Sequence, residues 1–405
     1  MASDHLHIEH LRIRNFKALA DAELKDIPPV CLLVGKNGSG KSTVFDVFSF
    51  LKDALATNVT KALNRRGGFA EVVTRGQSGP IEFEVKFREA GGRLATYILK
   101  IGQEGPRGVV LSEVLKFRRG SRGQPWHFLD FARGKGTAIV NEDSYGEEHT
   151  EAEREEQALE SSDILAIKGL GQFQRFRVAS DFRKLIESWH VSDFHIADAR
   201  PSAEEGEADH LSSRGENLSL VARNLHQYHR EVFDLILKRM RDRVPGVVSV
   251  EAEPTVDGRI VLKFRDGAFR DPFIARHVSD GTIEMFAYLV LLHDQDPFPL
   301  LAIEEPENQL YPELLGELWE EFQDYSARGG QVFASTHSPD LLNSAGLESI
   351  YVLDKENGVA TIKKASENKQ LVALAREGDR PGELWRQGLL VSLARSRSPI
   401  RSAAR

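Results

Sequence analysis

One short segment, Gly35-Lys-Asn-Gly-Ser-Gly-Lys41-Ser42-Thr43, constrains this chain more than any other feature. It satisfies G-x-x-x-x-G-K-[ST] in full, and its surroundings fit. Before it, Val30-Cys-Leu-Leu-Val34 is a short continuous apolar run, the pattern of a strand buried on both faces of a sheet. After it, Val44, Phe45, Val47, Phe48, Leu51 and Leu55 recur at helical spacing. Strand, glycine loop and helix therefore follow one another without a gap. A loop of this kind cradles phosphates, because only glycine lets several backbone N–H groups approach them closely. The helix N-terminus beyond it adds favourable partial charge. The expected phosphate-binding residues are Gly35, Asn37, Gly38, Ser39, Gly40, Lys41, Ser42 and Thr43. Lys41 is expected to neutralise the β- and γ-phosphates, and Ser42 to give its hydroxyl to Mg²⁺.

Two further strand-like runs end in chemistry-bearing residues. Leu300-Leu-Ala-Ile-Glu304-Glu305-Pro306 is expected to run beside the phosphate loop and deliver two carboxylates at the carboxyl edge of the sheet, where ligands bind. Glu304 is the candidate for the Mg²⁺ shell, and Glu305 for orienting or deprotonating an attacking water. By itself, an acid pair after a strand is commonly a solvated strand end; the phosphate loop gives it weight. Gln331-Val-Phe-Ala-Ser335-Thr336-His337-Ser338-Pro339 repeats the arrangement with a histidine, placed to reach the γ-phosphate and respond to its presence.

The remaining segments set the architecture. Leu6, Ile8, Leu11, Ile13 and Phe16 alternate with charged residues, as in a half-buried strand. Ile81, Phe83, Val85, Phe87, Tyr97, Leu99 and Ile101 predict an antiparallel meander ending near Phe117. From Arg118 to Glu160 the composition turns to Gly, Arg and Glu, which predicts a polar, partly mobile excursion. Residues 164–243 are expected to be mainly helical, followed by strands at 247–252 and 259–264. Leu300–Ile303, 331–334 and 349–353 read as strands. The Arg/Ser-rich end has no apolar periodicity and is expected to be disordered.

Composition excludes several function classes. The chain of 405 residues has 53 Lys+Arg against 61 Asp+Glu, a formal net charge of −8. Its surface as a whole does not attract nucleic acid, so DNA contact needs a local basic patch. Arg65-Arg66, Arg118-Arg119-Arg122 and the C-terminal arginines are the available clusters. The single cysteine, Cys31, excludes a disulfide framework and reads as a buried strand residue. No apolar run reaches membrane-spanning length and the start is polar, so a cytoplasmic location is expected.

Phosphate loop, Glu-Glu-Pro-Glu and Ser-Thr-His-Ser-Pro, in that order, resemble the AAA-family ATPases of the SMC/RecF-like, ABC-type class. Leu11-Arg-Ile-Arg-Asn-Phe-Lys17 resembles the first strand of that family. Val278-Ser279-Asp280-Gly281-Thr282 resembles the ABC signature, with Ser279, Asp280, Gly281 and Thr282 as its nucleotide-contacting residues. Physically it is a second anion-favouring helix terminus, with a plain serine N-cap as the simpler alternative. The resemblance implies ATP and Mg²⁺ as cofactors. It also implies a homodimer in which the signature of one subunit closes over the ATP held by the other.

Three positions depart from the family pattern. Glu304 stands where most ABC ATPases have aspartate. Tyr311 occupies a place where histidine is common in this branch. The Q-loop glutamine is not evident, and Gln77 is the candidate metal-side residue.

The fold expected from the resemblance is α/β. It comprises a P-loop NTPase with an ABC-type ATPase head (a RecA-like mixed sheet plus an antiparallel β lobe) and a helical insertion. The corresponding divisions are 1–117, the insertion 118–264, the second half of the head 265–390, and a tail 391–405. There are no long heptads, and the short stretch after Asp354 is not expected to hold a nuclease domain, so a nuclease or other effector is expected as a separate partner. Two functions remain open: an ATPase switch acting on DNA or an effector in repair or anti-phage defence, and a slow ATP-dependent clamp or sensor. A nucleoside kinase is disfavoured by the Glu-Glu-Pro strand and the signature.

Overall fold

The computed structural model describes residues 7–88, 94–117, 125–144 and 150–395. Its centre is a sheet in the order His190–Ser192, Leu300–Ile303, Gln331–Thr336, Val30–Gly35, Ile350–Glu356 and Val359–Lys364. The first five strands pair in parallel, and the last folds back antiparallel on its neighbour. Both faces are covered, as the apolar runs require. Alternate residues point to opposite faces. Cys31, Leu33, Phe333 and Tyr351 thus enter one core, and Leu32, Val34, Val332 and Val352 the other. Burial pushes the Cys31 thiol well above its ordinary range.

The first core lies between this sheet, the helix Lys41–Ala56 and an antiparallel sheet that begins with Leu19–Lys25, His7–Phe16, Ile81–Arg88, Leu94–Glu104 and Arg107–Phe117. Tyr97, Leu99 and Ile101 point inward from it with no exposure. The meander extends further than its sequence suggests. Trp126–Ala132, Lys135–Ile139 and Arg154–Ala158 add to the same sheet, so much of the stretch read as a polar excursion is β structure. Trp126, Phe128, Phe131 and Ile139 are buried in it. Arg118, Arg119 and Arg122 lie outside the described residues, as does Leu6.

The second core gathers Leu218–Tyr228, Arg230–Arg243, Asp280–Leu292 and Pro312–Ala327, all helices, on the opposite face of the central sheet. A small sheet of Val247–Pro254 and Arg259–Asp266, with short strands at Ala203–Glu204 and Phe273–Ile274, flanks it. A final helix, Leu389–Arg395, enters the stretch read as tail, with Leu390 and Val391 buried. No helix among the described residues is long and apolar enough to cross a membrane.

Candidate functional site

The site is built at the carboxyl edge of the central sheet. Val34 pairs with Thr336, so those two strands end nearly level, while Ile303 pairs with Ala334 and its strand ends two residues earlier. Gly35 closes the first of these strands, His337 follows the second and Glu304 the third. The expectation that the Glu304–Glu305 strand runs directly beside the phosphate-loop strand is corrected here, because the histidine strand Gln331–Thr336 lies between them. Parallel pairing joins segments distant in sequence, so strand order is not a local property.

The loop Gly35–Gly40 has the geometry its glycines allow. Gly40 has φ 107° and immediately precedes the helix Lys41–Ala56. A Cβ on Gly35 would lie 2.4 Å from Ser39 Oγ and 2.5 Å from Leu353 O, so no side chain fits there. Ser39 is buried and its Oγ has no hydrogen-bond partner among the described residues. Lys41 is also buried, and its Nζ donates to Gly35 O at 2.9 Å and to Lys36 O at 3.4 Å. Burial lowers the Lys41 pKa, opposed by the charges of Glu305, Glu307 and Glu304.

The acids and the histidine close on this loop. Glu304 accepts a hydrogen bond from the Ser42 side chain, while burial holds its pKa above the usual carboxylate range. Glu305 adopts φ 45°, in the left-handed region, at a cost of about 1–3 kcal/mol that surrounding bonds must hold. Its N–H donates to Ser335 O at 3.2 Å and lies 3.1 Å from Ser335 Oγ. His337 Nε2 lies 2.8 Å from Glu305 Oε1 and 2.9 Å from Lys41 Nζ. That nitrogen can donate to the carboxylate or accept from the ammonium, but one protonation state cannot do both.

Glu307, to which the sequence pattern assigned no role, is tied into the same group. Its Oε1 accepts from Thr336 Oγ1 at 2.8 Å, His337 N at 2.6 Å and Ser338 N at 3.1 Å. A carboxylate that serves backbone donors leaves no sequence signal beyond its place in Glu-Glu-Pro-Glu.

Ser279–Thr282 open a different element, the helix after Ala275–His277. Ser279 is the N-cap of the helix Asp280–Leu292, accepting from Thr282 N at 3.3 Å, so the simple capping geometry is present. Asp280 is paired with Arg200. Gly281 packs so tightly that a Cβ would meet Gln309 O at 2.7 Å. One turn on, the buried Glu284 accepts from Tyr288 OH at 3.1 Å and from the Gln309 amide, and burial raises its pKa to about 7. The helix is thus fastened to the loop that follows Glu305. No hydrogen bond among the described residues joins Ser279–Thr282 to the phosphate loop. Gln77 is exposed, its N–H closing a turn on Thr74 O, and no such bond brings it to the site.

Residues 30–343 match a family profile described as "AAA domain, putative AbiEii toxin, Type IV TA system". The chain belongs to this AAA-domain family. The AAA-domain chain also shares its fold with an SMC head solved bound to the C-winged helix domain of ScpA. That comparison has a TM-score of 0.51 at 15% identity and covers 88% of this chain and 97% of that one. An SMC head domain from Thermotoga maritima aligns at TM-score 0.47 and 14% identity, covering 88% of this chain and 98% of that one. An SMC head with an extended coiled coil from Pyrococcus furiosus, bound to the C-terminal domain of ScpA, aligns at 0.49 and 13%, covering 92% and 100%. No functionally curated protein matches the chain.

Proposed function

We propose that this AAA-family chain is an ATP-hydrolysing switch that closes as a homodimer around ATP. The observation that carries the reading is the convergence of Lys41, Ser42, Glu304, Glu305 and His337 at one sheet edge, with no hydrogen bond among the described residues from Ser279–Thr282 to the phosphate loop. A signature that has no bonded contact with its own phosphate loop is free to serve the loop of a second copy.

The residues fit a magnesium-bound triphosphate. The close-packed glycines, the buried ammonium of Lys41 and the Ser39 hydroxyl, unpartnered among the described residues, suit phosphate oxygens, and Ser42 with Glu304 supplies hard oxygen donors for Mg²⁺. When bound, Mg²⁺ neutralises charge on the phosphates. Glu305 would orient the attacking water and accept its proton as the bond to the γ-phosphorus forms and the bond from that phosphorus to the β–γ bridging oxygen breaks, with ADP as the leaving group. Lys41 stabilises the phosphate charge. His337, already in contact with both, responds to the γ-phosphate and reports its loss.

We read the chain as two halves of one ATPase head around an insertion, with the strands between 126 and 158 joining the first half. Release of the dimer after hydrolysis is the output. A protein effector is the favoured recipient over DNA, because one basic cluster is already engaged. Arg66 pairs with Asp46 and Asp53, and Arg65 with Asp53. A head that docks another protein, as the SMC head does with ScpA, is the corresponding arrangement.

The test is the solution mass of Glu305→Gln with and without ATP and Mg²⁺. A monomer that becomes a dimer only with ATP supports the switch. An unchanged mass removes ATP-driven association. Turnover of the unmutated chain then separates the two modes: fast, partner-stimulated hydrolysis marks a motor-like switch, and very slow hydrolysis a clamp.

A further inference from the structure

We infer that Glu307 is a positioning residue for this site, holding the His337 peptide so that the imidazole stays on Glu305. The inference rests on the ATPase reading for its kinetic consequence and on geometry alone for the contact.

One short loop grips His337 at two points. Glu305 meets the ring at Nε2, at 2.8 Å, and Glu307 takes the backbone N–H, at 2.6 Å. The same Glu307 oxygen also takes Thr336 Oγ1 and Ser338 N, so the three residues at the strand end converge on one acceptor. Charge-assisted bonds of this kind are roughly twice as strong as neutral ones. The carbonyl of His337 is held as well, by Trp385 Nε1 at 3.0 Å. Both polar groups of the His337 main chain are therefore fixed by side chains remote in sequence.

A purely structural duty does not account for Glu307. The helix Pro339–Ser344 is already capped by Ser338, whose side chain accepts from the amides of Asp340 and Leu341. Moreover, Glu307 Oε2 is buried without a hydrogen-bond partner among the described residues. Holding a carboxylate with one oxygen unsatisfied is unfavourable. The oxygen that is satisfied is the one that fixes His337. Because Glu305 and Glu307 belong to one loop, any shift of that loop moves the ring and the peptide of His337 together.

The test compares Glu307→Ala and Glu307→Gln in the full chain, with two readouts. The first is steady-state ATP turnover. The second is the ring ¹⁵N resonances of His337 in nucleotide-free protein, assigned by their loss in His337→Ala. Glu307→Ala is expected to lower kcat about 10- to 100-fold, the range for removing a supporting partner of a site residue. KM should stay near its original value, and the His337 resonances should shift or broaden. Glu307→Gln, which keeps one carbonyl acceptor, should recover a large part of both. Wild-type kcat in Glu307→Ala, or a loss of kcat with unmoved His337 resonances, overturns the inference. If the unmutated chain does not hydrolyse ATP, the ATPase reading fails, yet the resonances still decide whether Glu307 positions His337. If Glu307→Ala does not fold, the same two readouts on Glu307→Gln and Glu307→Asp decide it. Resonances and turnover unchanged in both would reject a positioning role.

Discussion

The Nζ of Lys41 lies 2.9 Å from Nε2 of His337, joining the phosphate loop to the end of the neighbouring strand. A cation and an imidazole meet here because Val30–Gly35 and Gln331–Thr336 are adjacent parallel strands ending nearly level. On the proposed reading, the ammonium leaves its contacts with Gly35 O and His337 for the phosphates when ATP binds. Lys41→Ala removes that charge, and a hydrogen bond to a charged group is worth about 1.5–3 kcal/mol. Titration calorimetry with ATP and Mg²⁺ should show affinity reduced by at least about tenfold. The thermal midpoint should not fall much, since the lost cation is buried and its burial is costly. Equal ATP affinity in the variant would remove Lys41 from the site.

On the proposed reading, Ser279, which has no hydrogen bond to the phosphate loop among the described residues, serves the loop of the partner, and this has a stoichiometric consequence. Lys41→Ala has a dead loop and an intact signature; Ser279→Arg has the reverse. Each alone should be nearly inactive. Mixed in equal amounts, half the random dimers contain both chains, and each of those has one complete site. Turnover of the mixture should therefore recover to about a quarter of wild type. An inactive mixture that demonstrably exchanges subunits would exclude the composite site.

What the sequence disclosed depended on how local each signal was. Val30–Gly35 and Leu300–Ile303 were legible because a strand covered on both faces has only apolar residues, and all ten of these positions are buried. The phosphate loop was legible because its glycines answer a steric demand within a few residues. Arg154–Ala158 was hidden: four of its five residues are exposed, and it is held by backbone pairing to Lys135–Ile139 rather than by an apolar face. The order of the parallel strands was hidden too, since pairing across hundreds of residues leaves no local pattern. Glu307 looked like one more acid in a run because its partners are mainly backbone amides.

A buried charge cluster fastens the helices behind the site. Glu321 has no exposure and is bonded to Arg239 at 2.5 Å, Arg243 at 2.6 Å and His293 at 3.0 Å. His293 immediately follows the signature helix, and Glu321 lies on Pro312–Ala327, so the cluster joins the two. Removing Glu321 takes away the buried acid and leaves Arg239 with Asp324 and Arg243 with Glu317, both more exposed partners. Glu321→Ala should cost about 3–5 kcal/mol, read as the shift in a urea unfolding midpoint at constant slope. A loss below 1 kcal/mol would mean that water reaches the arginines in the folded chain.

The same logic gives a pH dependence at Glu113 in the antiparallel sheet. Its carboxyl group is fully buried, accepts from Tyr97 OH at 3.1 Å and from the amides of Ala166 and Ile167, and burial raises its pKa to about 7. The unfolded group titrates near 4.5. Because the folded value is the higher one, the folded state binds more protons between them. The stability this group contributes is complete below about pH 4.5 and is lost as pH rises through about 7. Glu113→Gln keeps an acceptor for Tyr97 and has no charge to bury. Its stability relative to wild type should therefore rise between about pH 5 and pH 8, by up to roughly 3 kcal/mol for a shift of this size. Unfolding midpoints of the two proteins across that interval check the slope. Parallel curves would mean that Glu113 is ionised in the folded protein throughout, with its three donors outweighing the burial.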